Sequence, residues 1–132
     1  MNRRGFLRAV GATGMWLLLH RPAAAKPSRH QRGLELLRAA IAGRKVIRFR
    51  YQGLEREAEP HALGVVSGGR PAFFGWQTKG RSRTDPPPGW RTFVLSEIKE
   101  LRGLKKPFAP RADYRPERSG LHEIETDVHA AR

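Results

Sequence analysis

The residue types in this chain best suited to chemistry are cations placed close to glycines and tryptophans. Arg56, Arg91 and the run containing Lys79, Arg81 and Arg83 compose a candidate ligand-binding site for anions. A guanidinium meets a phosphate or carboxylate with two parallel N–H donors, and Gly80, in the middle of the run, allows close backbone approach. Trp76 adds a flat surface on which a base can stack, and Trp90 offers a second. Each tryptophan follows a glycine inside an apolar run, which equally suits a place in a core. A separate basic group, Arg44, Lys45, Arg48 and Arg50, reads as a solvated face.

Catalysis needs a constellation that is missing here. His61 lies near Glu59 and His122 beside Glu123, with His129 seven residues further on. None of them belongs to an H-E-x-x-H, G-x-S-x-G or paired-carboxylate pattern, so no catalytic residue is assigned. His122 and His129 are not spaced to share one helical turn, and no metal site is expected. Phosphate-loop and dinucleotide glycine patterns are absent, so no cofactor is predicted. The chain has no cysteine, which excludes disulfides and thiolate chemistry. The expectation is a non-enzymatic protein.

These groups need a scaffold, and 132 residues allow one domain. Leu34, Leu37 and Ile41 fall at i, i+3 and i+7 with Ala40 completing the stripe, which predicts an amphipathic helix over 31–43 ending at Gly43. The period then changes to two: Ile47, Phe49 and Tyr51 share one face, Arg48 and Arg50 the other. Turns at Gln52-Gly53 and Ser67-Gly68-Gly69 bound a second strand over 56–66, in which Pro60 marks an edge or a bulge. Strands at 72–77, 90–95 and 97–104 follow, with a proline-stiffened loop over 78–89. One helix, then five short strands, predicts a mainly β (α+β) fold closed or nearly closed into a small barrel. Residues 109–132, rich in charge and proline, are expected to form a loosely packed basic tail.

The first 25 residues read as an address. Arg3-Arg4-Gly5-Phe6-Leu7-Arg8 resembles the R-R-x-F-L-K core of twin-arginine signals, with Arg3, Arg4, Phe6 and Leu7 as recognition residues. An apolar run over 9–19 follows, too short for the ~20 residues of a bilayer-spanning helix, so no permanent membrane anchor is expected. Ala23-Ala24-Ala25 then places cleavage between Ala25 and Lys26. The twin-arginine translocase is thus an expected partner, and the expected location is periplasmic or secreted. Residues 26–30 become a flexible lead-in. The cleaved chain would carry 22 Lys+Arg against 12 Asp+Glu, a formal charge of +10. That balance favours an anionic small molecule or polymer, nucleic acid included.

Over 31–108 the order of residues resembles the WYL domain family, in the form of a short stand-alone member. Leu36-Leu37-Arg38-Ala39-Ala40-Ile41 followed by Ile47-Arg48-Phe49-Arg50-Tyr51 is similar to the family's opening. Arg56-Glu57-Ala58-Glu59-Pro60-His61-Ala62-Leu63 resembles its R-x-V-x-P-x-x-L segment, and Arg91-Thr92-Phe93-Val94-Leu95-Ser96-Glu97-Ile98 its closing R-x-F-R-L-D-R-I strand. Phe73-Phe74-Gly75-Trp76 stands where the family has the strand of its W-Y-L motif, though Pro71-Ala72-Phe73 replaces the triplet itself. The resemblance implies a five-stranded Sm-like, SH3-type barrel that senses ligands, nucleotides or nucleic acid in general, usually behind a DNA-binding domain in regulators. Arg56 and Arg91 match positively charged family positions, whereas Val94 and Glu97 replace arginines that the family is thought to turn toward anions. The function expected is an exported binding module for an anionic ligand. The alternatives are an accessory protein-interaction domain in the periplasm, or a cytoplasmic sensor if the leader is not used.

Overall fold

A computed structural model describes residues 25–81 and 86–130. Arg3, Arg4, Phe6 and Leu7 of the expected signal, and Arg83 of the expected anion site, lie outside the described residues. Ala25 and Lys26 are exposed and precede the first element.

Helix α1 spans Arg29–Gly43. It opens earlier than the apolar stripe suggests because Ser28 and Gln31 form a reciprocal cap: the Gln31 N–H donates to Ser28 Oγ (3.1 Å) and the Ser28 N–H to Gln31 Oε1 (2.9 Å). Leu37 and Ile41 are fully buried beneath it. The helix ends at Gly43 as expected, and the cap is Arg44, which takes the left-handed conformation at φ 52°. The Arg44 guanidinium compensates by donating to the Val128 carbonyl at 3.0 Å.

Six strands follow: β1 Lys45–Tyr51, β2 Leu54–Val66, β3 Arg70–Gly80, β4 Gly89–Val94, β5 Ile98–Pro107 and β6 Glu123–Asp127. They form one antiparallel sheet ordered β4-β3-β2-β1-β5, with β6 also paired to β2. The fold is therefore α+β and mainly β, but the path runs open from β4 to β5 and has six strands rather than a closed five. Its two ends are joined by a single 3-10 turn, Leu95–Glu97, and the Val94 N–H reaches across to the Tyr51 hydroxyl at 3.3 Å. The β1–β2 hairpin turns on Gln52 and Gly53, both at positive φ, the geometry that matches strand twist in a two-residue turn.

β2 organises the sheet. Its first half pairs with β1 up to Ala58, its second half with β6 from Ala62, and β3 runs along its other side. Pro60 falls in the interval between β1 and β6, where its missing N–H interrupts neither ladder. The register then slips between Pro60 and Ala62, leaving His61 as the extra residue of a bulge.

The strand pairs carry two apolar layers. On one face Phe49, Phe73 and Phe93 are fully or almost fully buried, with ring centroids 4.8–5.5 Å apart. On the other, Phe74 stacks on Trp90 at 4.9 Å, and Trp90 meets His61 at 4.8 Å. Residues 109–130 cover this second layer, which corrects the expectation of a loose tail. Tyr114 and Ser119 are buried, Val128 is fully buried, and β6 joins the sheet. Nor is the segment basic: residues 109–132 hold four arginines against five acids. Their ring, methyl and strand-pairing groups were masked in the sequence by the surrounding charge.

Candidate functional site

Gln77 is the centre from which the expected anion site is built. It is fully buried in β3, and its Oε1 accepts from Arg56 Nη1 (3.4 Å) and Arg91 Nε (3.1 Å). Its Nε2 donates to the backbone carbonyls of Lys79 (3.3 Å) and Arg81 (3.4 Å). Chemistry fixes this amide orientation, since the reverse would aim N–H donors at two guanidiniums. One neutral side chain thus holds Arg56, Arg91 and the backbone at Lys79 and Arg81 together.

The two arginines differ in what they can reach. Arg56 is only 3% exposed, donates to the Tyr51 carbonyl at 3.2 Å, and lies 5.2 Å from the Tyr51 ring centre and 5.7 Å from that of Phe93. It is an internal cation that positions Gln77 rather than a hand held out to solvent. Arg91, on the edge strand β4, is half-buried and lines a groove of about 400 Å³. Arg115 and Arg118 face the same groove, with Asp113 beside them and Phe74 and Trp90 as its aromatic floor. Trp90 Nε1 donates to Asp113 Oδ2 at 3.1 Å, which sets the ring against that wall.

The remaining expected residues disperse. Strand alternation puts Trp76 on the face opposite Gln77, where the Arg111 guanidinium covers its ring at 4.4 Å. Trp76 therefore does not join Arg56 and Arg91. Lys79 and Arg81 are exposed, held to the site through their carbonyls rather than their charges. Gly80, at φ 105°, does approach something closely, but it is the chain itself: a Cβ there would lie 2.3 Å from the Glu55 carbonyl oxygen. Arg48 and Arg50 are paired with Glu57 (2.6 Å) and Glu100 (2.8 Å) across the strands. Val94 and Glu97 bring no cation; Arg115 and Arg118 are the arginines that line the smaller groove with Arg91.

A larger groove of about 530 Å³ lies between the start of α1 and β5. Its floor is apolar, with Leu36, Leu95 and Leu101, and its cations Arg29 and Arg32 donate to the carbonyls of Ile98 (2.9 Å) and Pro27 (2.7 Å). The smaller groove is the one that gathers charge around aromatic rings. Among the described residues no group of three or more His, Asp or Glu side chains could hold a metal ion.

His61 shapes the face beside this groove. Its Nδ1–H donates to the Glu59 carbonyl at 2.9 Å while its Nε2 accepts from the Arg111 N–H at 3.1 Å, so the ring is neutral. Burial pushes its pKa below the ordinary value, and Arg111 and His129 add to that, against the opposing pull of Glu59.

Residues 32–102 match the WYL domain, more than half of the chain. The chain belongs to the WYL domain family. The match ends before the segment that supplies Arg115 and Arg118, so this WYL domain carries one wall of its groove outside the family region. Among solved structures it is similar to Proteasome accessory factor B/C (PafBC) of Arthrobacter aurescens, at 28% identity and a TM-score of 0.53. That similarity covers 70% of this WYL chain but only 14% of the PafBC chain. No curated protein matches it.

Proposed function

We propose that this chain is a WYL-type ligand-sensing module that binds an anionic ligand, without catalysis, in the groove lined by Arg91, Arg115, Arg118 and Trp90. The carrying observation is that Arg91, Arg115 and Arg118 all line one groove of about 400 Å³, with Phe74 and Trp90 as its aromatic floor. Membership of the family and the likeness to PafBC support a sensing or regulatory role. The strand order, with β4 and β5 joined through one 3-10 turn, also supports reading the sheet as a variant of the family's Sm-like, SH3-type barrel opened to admit β6.

We further infer that the module works outside the cytoplasm after export by the twin-arginine translocase. The leader motif supports this, and cleavage between the exposed Ala25 and Lys26 would leave the Ser28 cap and everything after it intact. N-terminal sequencing of the periplasmic form should begin at Lys26; a full-length cytoplasmic form would refute export.

Binding is tested by titrating the protein with inorganic pyrophosphate and with a short oligonucleotide while following tryptophan emission. Each charge-assisted hydrogen bond is worth about 1.5–3 kcal/mol, so Arg115→Ala/Arg118→Ala should weaken binding by at least tenfold. The same loss from Arg81→Ala alone, with the double variant unaffected, would move the site back to the loop.

A further inference from the structure

Residues 109–130 are attached to the rest of the domain along a line of contacts that begins at His61. The Arg111 N–H donates to His61 Nε2 (3.1 Å), and the Val128 N–H donates to the His61 carbonyl (2.9 Å). Between those points the Arg111 guanidinium grips the Glu59 carboxylate with two bonds, at 2.8 and 3.3 Å, and covers Trp76. Further along, Tyr114 O–H donates to Asp127 Oδ2 at 3.1 Å, closing the segment on itself. Arg115 and Arg118 lie between these anchors. One bulge residue of β2 therefore receives both ends of the segment that supplies the groove's second wall.

We propose that residues 109–130 form an acid-released strap, seated on β2 while the His61 imidazole is neutral and lifted, together with Arg115 and Arg118, when that imidazole is protonated. The consequence for the ligand rests on reading the groove as the binding site; the release of the strap does not.

Protonation places an N–H on Nε2, facing the Arg111 N–H donor to donor. It also puts a second positive charge beside the Arg111 guanidinium in a buried site. The groups facing His61 are Glu59 from β2 and Arg111, Tyr114 and His129 from the strap, while β4 and the residue just after β5 offer only the rings of Trp90 and Phe108. Glu59 alone favours the charged form, and Arg111 already engages its carboxylate. Because the seated ring has the lowered pKa, the stabilisation it gives is present above the ordinary histidine value and is lost as pH falls below it. With a released-state value near 6.5, strap opening at pH 5 is favoured by up to about thirtyfold over pH 7.5.

Amide hydrogen exchange of the full chain, corrected for intrinsic rates, tests this between pH 7.5 and pH 5. Exchange at Arg111, Val128 and the β6 amides should rise by up to thirtyfold while the β1–β2 ladder stays protected. His61→Gln, which keeps an acceptor at the Nε2 position but does not titrate, should flatten the response, and His129→Gln should leave it in place. Unchanged strap protection across this range, loss of strap and β1–β2 protection together, or abolition by His129→Gln would each overturn the proposal. Pyrophosphate titration separates the two readings. A strap that lifts in acid while pyrophosphate shows no binding at either pH would sink the groove as ligand site and leave the strap standing.

Discussion

Gly64→Ala is the substitution whose expected outcome runs most directly against ordinary propensity. Alanine in place of glycine stabilises a compatible position by about 0.4–1 kcal/mol, because the unfolded chain has less freedom to lose. Gly64 does not sit at positive φ, so its backbone poses no obstacle to alanine. Space does: a Cβ at Gly64 would lie 1.9 Å from the Glu123 carbonyl oxygen and 3.1 Å from Ile124 Cα. These are backbone atoms of β6 and cannot rotate aside. The strand must move off β2, weakening the Gly64–Ile124 and Val65–Glu123 pairing and the seating of the fully buried Val128. Burial of a valine is worth about 1.5–3 kcal/mol and each ladder hydrogen bond about 0.5–1.5 kcal/mol. Partial loss of both outweighs the entropic gain, for a net destabilisation of about 2–4 kcal/mol. At a urea dependence of about 1–3 kcal/mol per molar, the unfolding midpoint should fall by roughly 1–2 M. Hydrogen exchange should localise the change to β6. A variant as stable as the parent, with β6 still protected, would refute the close approach and the seating of the strap with it.

Three further outcomes test other parts of the structure. Gln77→Leu removes the acceptor shared by Arg56 and Arg91 and should cost about 2–4 kcal/mol in thermal or urea unfolding, since hydrogen bonds to charged groups are lost inside the domain. Arg111→Ala uncovers Trp76 and leaves the buried Glu59 carboxylate without its guanidinium; stability should fall by about 2–4 kcal/mol and tryptophan emission should shift to the red. Arg38→Ala, by contrast, breaks a bidentate pair with Glu125 that is nearly half exposed on both sides, so its effect on unfolding should stay within about 1 kcal/mol.

Much of the scaffold was legible because its signals are local. The 3.6-residue spacing of Leu34, Leu37 and Ile41 marks α1, the alternation of Ile47, Phe49 and Tyr51 marks β1, and Gln52-Gly53 marks the hairpin between β1 and β2. Pro60 marked an edge or a bulge, and the bulge falls beside it at His61. What escaped is non-local. Closure could not be judged from strand count, because β6 pairs with the half of β2 that β1 leaves vacant, and nothing in Glu123-Ile124-Glu125-Thr126-Asp127 reads as a partner for Leu63 or Gly64. The one available sign was Gly64 inside a strand of branched and apolar neighbours, a position where another backbone comes close.

The cations expected to share one site disperse in the structure, and the reason lies in how charge is distributed on folding. Counting arginines treats them as equivalent, yet Arg56 is internal, Arg48 and Arg50 are paired across strands, and Arg111 is spent on Glu59 and Trp76. Each of these has a carboxylate or carbonyl that folding brings to it from 5 to 52 positions away, so sequence proximity says little about which cation remains available. Arg91 lies on the edge strand β4 and lines the smaller groove. Its companions come from a segment whose acids outnumber its arginines, where a basic site had no compositional signal. What gathers Arg115 and Arg118 is packing: Tyr114 and Ser119 bury on the second aromatic layer, and the arginines beside them are carried to the rim. Disturbing that packing, whether through Gly64 or through His61, should therefore cost the groove its second wall with Arg115 and Arg118 themselves unaltered.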